Sequence, residues 1–145
     1  MLETIEYLIE VSSRRGLHPD EEKTVLNYLR SMNEEEAVEM LKYMVDRKSF
    51  VSTIFASRVL RSKSCVRNFF KYGVINADAQ SIKKWLEFAI NRLGAKSTIY
   101  LIEKLNNESN RLLYKAVYWF PILIPKSDTK SQSILNKLRD KMESS

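Results

Sequence analysis

The chain of 145 residues, 44% of them apolar, is long enough to bury one core, so we expect a single domain over residues 1–145. Only three glycines and three prolines punctuate a sequence rich in Leu, Lys, Glu and Arg, which excludes a turn-rich β architecture and points to an all-α fold. One cysteine and one histidine exclude an intramolecular disulfide and a multi-ligand zinc cluster, and the net charge of +6 favours anionic partners.

That charge is unevenly spread. Residues 1–50 hold seven basic and eleven acidic side chains, whereas residues 51–145 hold seventeen and seven. No carboxylate falls between Asp46 and Asp78, an interval that carries Arg47, Lys48, Arg58, Arg61, Lys63, Arg67 and Lys71. The chain has no apolar run approaching the roughly eighteen residues of a membrane span, so we expect no transmembrane segment. Its first ten residues hold three glutamates where a secretory leader would carry positive charge. A cytoplasmic location is therefore the expectation.

In chain order, the first helix is expected over residues 2–13, with Ile5, Leu8 and Ile9 inward and Leu2 as a further candidate for that stripe, and Gly16 ends it. A second follows with Pro19 in its first turn, Asp20 to Glu22 at the positive helix start, and Val25, Leu26 and Leu29 inward. Asn33 caps a third, with Glu36 at the capping-box position and Ala37, Val38, Leu41, Met44 and Val45 on the apolar side. Ser49 is the expected cap of a fourth helix over residues 50–61. Phe50, Val51, Ile54, Phe55, Val59 and Leu60 cover more than a narrow stripe there, which marks the helix as central.

Ser62 or Ser64 caps a fifth helix containing Val66, Phe69 and Phe70, and Gly73 is expected to stop it in the left-handed conformation. The sixth helix carries Ile82, Leu86, Ala89, Ile90 and Leu93 inward, with Trp85 at an edge or in a groove, and Gly94 closes it. A seventh helix spans residues 96–105. The eighth spans residues 110–120 and is ended by Pro121. After a link over residues 121–133, a last helix is expected over residues 133–142, with Ile134 and Leu138 on one side and Leu135 and Met142 as further candidates for it.

A shift of 45 residues superimposes Leu41 on Leu86, Val45 on Ile90, Ser52-Thr53-Ile54 on Ser97-Thr98-Ile99, Phe55 on Tyr100 and Leu60 on Leu105. A unit of that length with two or three helices has the scale of armadillo and HEAT-type repeats, in which each unit buries its face against the next. The expected fold is thus a short helical-repeat-like stack of seven to nine helices. A compact globular helical bundle is the alternative.

Catalytic chemistry finds little support in this sequence. His18 stands before a helix-starting proline, and Cys65 lies at a helix start between Lys63 and Arg67 with no second histidine to act as its base. No glycine-rich phosphate loop is present, so we expect no cofactor, no metal and no enzyme.

Two surfaces attract more interest. Lys63, Arg67 and Lys71, at i, i+4 and i+8, line one side of the fifth helix opposite Phe69 and Phe70, with Arg58 and Arg61 just before them. Tyr114 and Tyr118 share one side of the eighth helix, Trp119 and Lys115 a neighbouring one, and Trp85 and Lys96 add an edge. Tyr, Trp and Arg are the residue types enriched in binding hot spots. The expected function is a noncatalytic interaction module or adaptor that binds a protein, an acidic one by charge. A sequence-independent nucleic-acid binder, using the basic stretch on the phosphate backbone, is the alternative.

Overall fold

The computed structural model describes residues 2–49 and 51–144, and among them nine α-helices and no strand form. They are α1 (Leu2–Ser12), α2 (Pro19–Arg30), α3 (Glu34–Asp46), α4 (Ser52–Val59), α5 (Lys63–Ile75), α6 (Ile82–Leu93), α7 (Ala95–Leu105), α8 (Leu112–Leu123) and α9 (Thr129–Glu143). Phe50, counted above on the fourth helix, lies outside the described residues. The chain divides into two compact units, Met1–Phe69 and Phe70–Ser145. No helix among the described residues is long and apolar enough to cross a membrane.

In the first unit α1 packs on α2, α2 on α3 and α4, and α3 on α4. The apolar stripes expected for α1 to α3 are largely the buried ones: Ile5, Leu8 and Ile9, then Val25, Leu26 and Leu29, then Ala37, Val38, Leu41 and Met44, whereas Leu2 is 52% exposed and Val45 half-buried. Local chemistry places the helix starts. The His18 N–H donates to Glu21 Oε1 at 2.9 Å ahead of Pro19, and Arg15 grips the same carboxylate with two bonds of 3.1 Å. Asn33 Oδ1 accepts from the Glu36 N–H at 2.9 Å, as its position predicts. The α3 end is a Schellman turn in which the Ser49 N–H reaches the Met44 carbonyl and the Lys48 N–H reaches that of Val45. Lys48 occupies its left-handed position, with φ of 58°.

Two expectations change here. Ser49 does not cap α4, which starts at Ser52 with Val51 as its flanking residue. The Ser49 side chain is buried instead, 2.7 Å from the buried Ser12 hydroxyl, which itself donates to the Ile9 carbonyl. A buried hydroxyl left without a partner is costly, and Ser12 supplies one. Nor is α4 covered all round: Phe55, Ala56 and Val59 are buried, but Ile54 is 48% exposed.

In the second unit α6 packs on α7 and α8, α7 on α8 and α9, and α8 on α9. The core is built from Ile82, Trp85, Leu86, Phe88 and Ala89 of α6, Thr98, Ile99 and Ile102 of α7, Leu112, Leu113, Ala116 and Phe120 of α8, and Leu135 and Leu138 of α9. Burying a side chain such as Phe120 completely contributes about 1.5–3 kcal/mol, so these rows hold the unit together.

Glycine and proline behave differently from the sequence expectation. Gly94 ends α6 at φ 90°, where a Cβ would be strained. Gly73 does not end α5, which runs on to Ile75; it lies instead under the indole of Trp85, where a Cβ would not fit. Pro121 does not end α8 either, since the helix continues to Leu123 and the Ile124 N–H closes on Phe120. A proline in the last turn removes one amide bond without stopping the chain from completing that turn. Finally, α9 starts at Thr129, four residues before the expected start, because Asp128 Oδ1 accepts from the Ser131 N–H at 3.1 Å and caps it.

The chain is thus all-α, with mainly neighbouring helices packed on one another, as in helical-repeat and bundle folds. The 45-residue correspondence holds in the first helix of the pair, where Ala37, Leu41 and Met44 match Ile82, Leu86 and Ala89, all buried. It slips in the second. The buried Ser52, Phe55, Ala56 and Val59 match the buried Ala95, Thr98, Ile99 and Ile102 at a spacing of 43, whereas a spacing of 45 would set buried Phe55 on exposed Tyr100. Two changes combine into this slip: the connection shortens from residues 47–51 before α4 to Gly94 alone before α7, and α6 runs on past the position equivalent to the end of α3.

Candidate interaction surface

In the first unit, the end of α4 and the start of α5 present Arg58, Arg61, Lys63 and Arg67 to solvent. None of these four pairs with a carboxylate among the described residues. Glu34, at the start of α3, accepts instead from the backbone N–H groups of Arg61 and Ser62 at 2.9 and 2.7 Å. Those amides, the Ser62 N–H first among them, hold the Glu34 carboxyl below its ordinary range, and the Ser62 and Cys65 side chains add to the effect. The Ser62 hydroxyl accepts from the Cys65 N–H at 3.2 Å, so Ser62 is the residue that caps α5. Lys71, the third member of the expected row, is half-buried and belongs to the second unit.

In the second unit the aromatic residues divide. Trp85 is only 6% exposed, with its indole stacked over the Gly73 backbone and its ring set edge-on to Phe88 at 6.4 Å. It packs the core and is not at the expected edge or groove. Phe120 is buried as well, and Trp119 is half-buried, 5.0 Å from Tyr118 in a T-shaped pair. The Lys83 ammonium lies 5.4 Å from the Trp119 ring and 3.8 Å from Glu87. Lys96 is exposed and lies 6.0 Å from the exposed Tyr100 ring on α7.

The outward face of α8 is where large apolar side chains stay open. Tyr114, Tyr118 and Ile122 are 59%, 70% and 63% exposed and follow one another at i, i+4 and i+8. Leu112, Ala116 and Phe120 occupy the same spacing on the opposite side, inside the core. The helix is therefore apolar on two faces, only one of which the second unit covers. Tyr114 to Ile122 forms a seam about 12 Å long at 1.5 Å per residue, with Lys115 beside it and Arg111, the left-handed residue just before α8, at its start.

The start of α8 orients these cations. Asn106 Oδ1 accepts from the Leu113 N–H at 2.8 Å, Asn110 Oδ1 from the Leu112 N–H at 3.1 Å, and Arg111 takes a left-handed backbone with φ of 48°. Its guanidinium then lies 5.6 Å from the Tyr114 ring. Asn106, Asn107, Glu108, Arg111 and Tyr114 line an open pocket of about 650 Å³ at this end of the seam. Lys115 bends back to donate to the Ala77 carbonyl at 3.3 Å.

Sequence reasoning singled out Tyr114, Tyr118, Trp119 and Lys115 as neighbours on this helix but missed Ile122 and Arg111. The signal was present in the spacing 111, 114, 115, 118, 122. Ending the helix at Pro121 hid Ile122. Among the described residues no group of three or more His, Cys, Asp or Glu is placed to hold a metal ion. No family model, curated protein or solved structure matches this chain.

Proposed function

We propose that the chain is a noncatalytic protein-interaction module whose partner docks on the outward face of α8. The observation that carries this reading is the row Tyr114, Tyr118 and Ile122, each more than half exposed on a helix whose opposite face is already in the core. Tyrosines supply large contact area at low cost in side-chain entropy, and an ordered apolar row at helical spacing is the pattern that a helix or groove of a partner recognises. Arg111, exposed at the start of the same row, favours a partner with carboxylates, while Lys115 is half-buried and donates to the Ala77 carbonyl.

The test compares partner capture by the wild-type chain with capture by Tyr114→Ser/Tyr118→Ser/Ile122→Ser. These three side chains are largely exposed, so the helical circular dichroism and the denaturation midpoint should hold within about 0.5 kcal/mol. A protein retained by the wild type and lost by the variant supports the reading. Equal retention by both refutes it.

A second reading rests on the four exposed cations of the first unit, Arg58, Arg61, Lys63 and Arg67, which are free of carboxylate partners among the described residues. Such a group suits the phosphate backbone of a nucleic acid without reading its sequence. Oligonucleotide binding that weakens steeply with salt and is lost in Arg58→Ala/Arg61→Ala/Lys63→Ala/Arg67→Ala favours it. No binding at low salt removes it.

A further inference from the structure

Exposed apolar side chains and charge together single out two helices of this chain that complement each other. All of the net charge lies in the second unit: residues 1–69 hold eleven basic and eleven acidic side chains, residues 70–145 thirteen and seven. Within the neutral first unit, α1 is the acidic element. Its buried side is Ile5, Leu8, Ile9, Val11 and Ser12, and its outer side is Glu3, Glu6, Tyr7 and Glu10, with Leu2 at the margin. Leu2 and Tyr7 are 52% and 61% exposed. Glu10 pairs with Arg14 one turn on, while Glu3 and Glu6 make no ion pair with a described residue.

The sequence spacing of that outer row, i, i+3, i+4 and i+7 at residues 3, 6, 7 and 10, is that of Arg111, the residue just before α8, and Tyr114, Lys115 and Tyr118 on α8. One row is acidic around an exposed tyrosine, the other basic around two tyrosines and an isoleucine. Among the described helices, α1 alone joins exposed large apolar residues to several carboxylates and no base within its span. Pairing α8 with α8 of another copy would instead bring Arg111 and Lys115 against their own kind.

We infer that the occupant of the outward α8 face is the acidic outer face of α1 from a second copy of this chain. The inference rests on the reading of α8 as a docking face and names what docks there. The contact sets an acidic face against a basic one, so copies associate either reciprocally in a closed pair or head to tail into rings and open chains. Two helix faces of this length bury less than the roughly 1,600 Å² of a standard interface, so association is weak and reversible. Its charged part makes it sensitive to salt.

Sedimentation equilibrium of the full chain tests this over about 10 μM to 1 mM, a range suited to a contact below standard size. At low ionic strength the weight-average mass should climb above 17.0 kDa with concentration and fall back toward it at about 0.5 M salt. Glu3→Lys/Glu6→Lys, which spoils the acidic face, and Tyr114→Ser/Tyr118→Ser/Ile122→Ser, which spoils the α8 face, should each remain at the monomer mass alone. Mixed in equal amounts they retain one good face each. They should then form a pair of twice 17.0 kDa and nothing larger.

A wild-type chain that stays monomeric throughout overturns the inference, as does assembly of the Glu3→Lys/Glu6→Lys chain by itself, which would mean that α8 pairs with α8. If self-association fails while the α8 variant still loses a captured foreign partner, the occupant is that protein and the docking reading survives alone. If capture is also unaffected, both fall.

Discussion

Replacing Gly73 with alanine sets helix propensity against packing, and the geometry decides the outcome. Alanine inside a helix is favoured over glycine by roughly 0.5–1 kcal/mol, and Gly73 sits within α5 at an ordinary helical backbone. A Cβ at this position, however, would lie 2.0 Å from Trp85 Cη2, 2.1 Å from Cζ2 and 2.5 Å from Cζ3. Ordinary carbon contacts are about 3.5–4.0 Å, so the indole must retreat by roughly 1.5 Å or α5 must shift. Trp85 is 6% exposed and packed edge-on against Phe88, so it has little room to retreat. Overpacking of this kind costs about 1–3 kcal/mol. The expected balance is a net loss of about 1–2 kcal/mol, read as a lower urea midpoint by circular dichroism with an unchanged slope.

The double variant Gly73→Ala/Trp85→Leu identifies the cause. Trp85→Leu alone destabilises by opening space in the core, but adding alanine on top of it should cost nothing or restore a little stability. Such non-additivity is the signature of a direct clash. A Gly73→Ala chain more stable than the wild type, or strictly additive losses in the double variant, would refute the account of Gly73 as the seat of the Trp85 ring.

Two further substitutions probe helix ends. Lys48→Gly relieves the left-handed residue of the Schellman turn and should raise stability by roughly 0.5–1 kcal/mol, seen as a thermal midpoint higher by about 1–4 °C; no increase would show that the Lys48 conformation is not strained. Glu34→Gln removes the charge from the two backbone bonds at the start of α5 and should cost about 1 kcal/mol at neutral pH. Because the folded carboxyl is held below 4.5, its contribution is complete above that pH and lost as pH falls through the lowered folded value. The wild type and Glu34→Gln should converge in stability under acid. A gap that persists at low pH would assign the effect to something other than the carboxylate.

Helix number, helix class and most buried rows follow from local information, because a period of 3.6 residues and the capping residues act within one element. Pro19, Asn33 and Gly94 are where short-range chemistry suffices: a fixed φ, an N-cap acceptor and a tolerated positive φ each need no distant neighbour. The apolar rows Ile5-Leu8-Ile9 and Val25-Leu26-Leu29 were legible for the same reason.

Only the tertiary structure decided which partner each ambiguous residue meets. Gly73 reads as a helix stop until Trp85 is seen to cover it, and Ser49 reads as a cap until Ser12 lies 2.7 Å away. Trp85 and Tyr118 are both large aromatics on amphipathic helices, yet one is 6% exposed and the other 70%. Sequence spacing says that two residues share a face, but burial depends on whether another helix covers that face. The outward row of α8 became visible when the helix was found to continue past Pro121 and the second unit was found to cover only its other side.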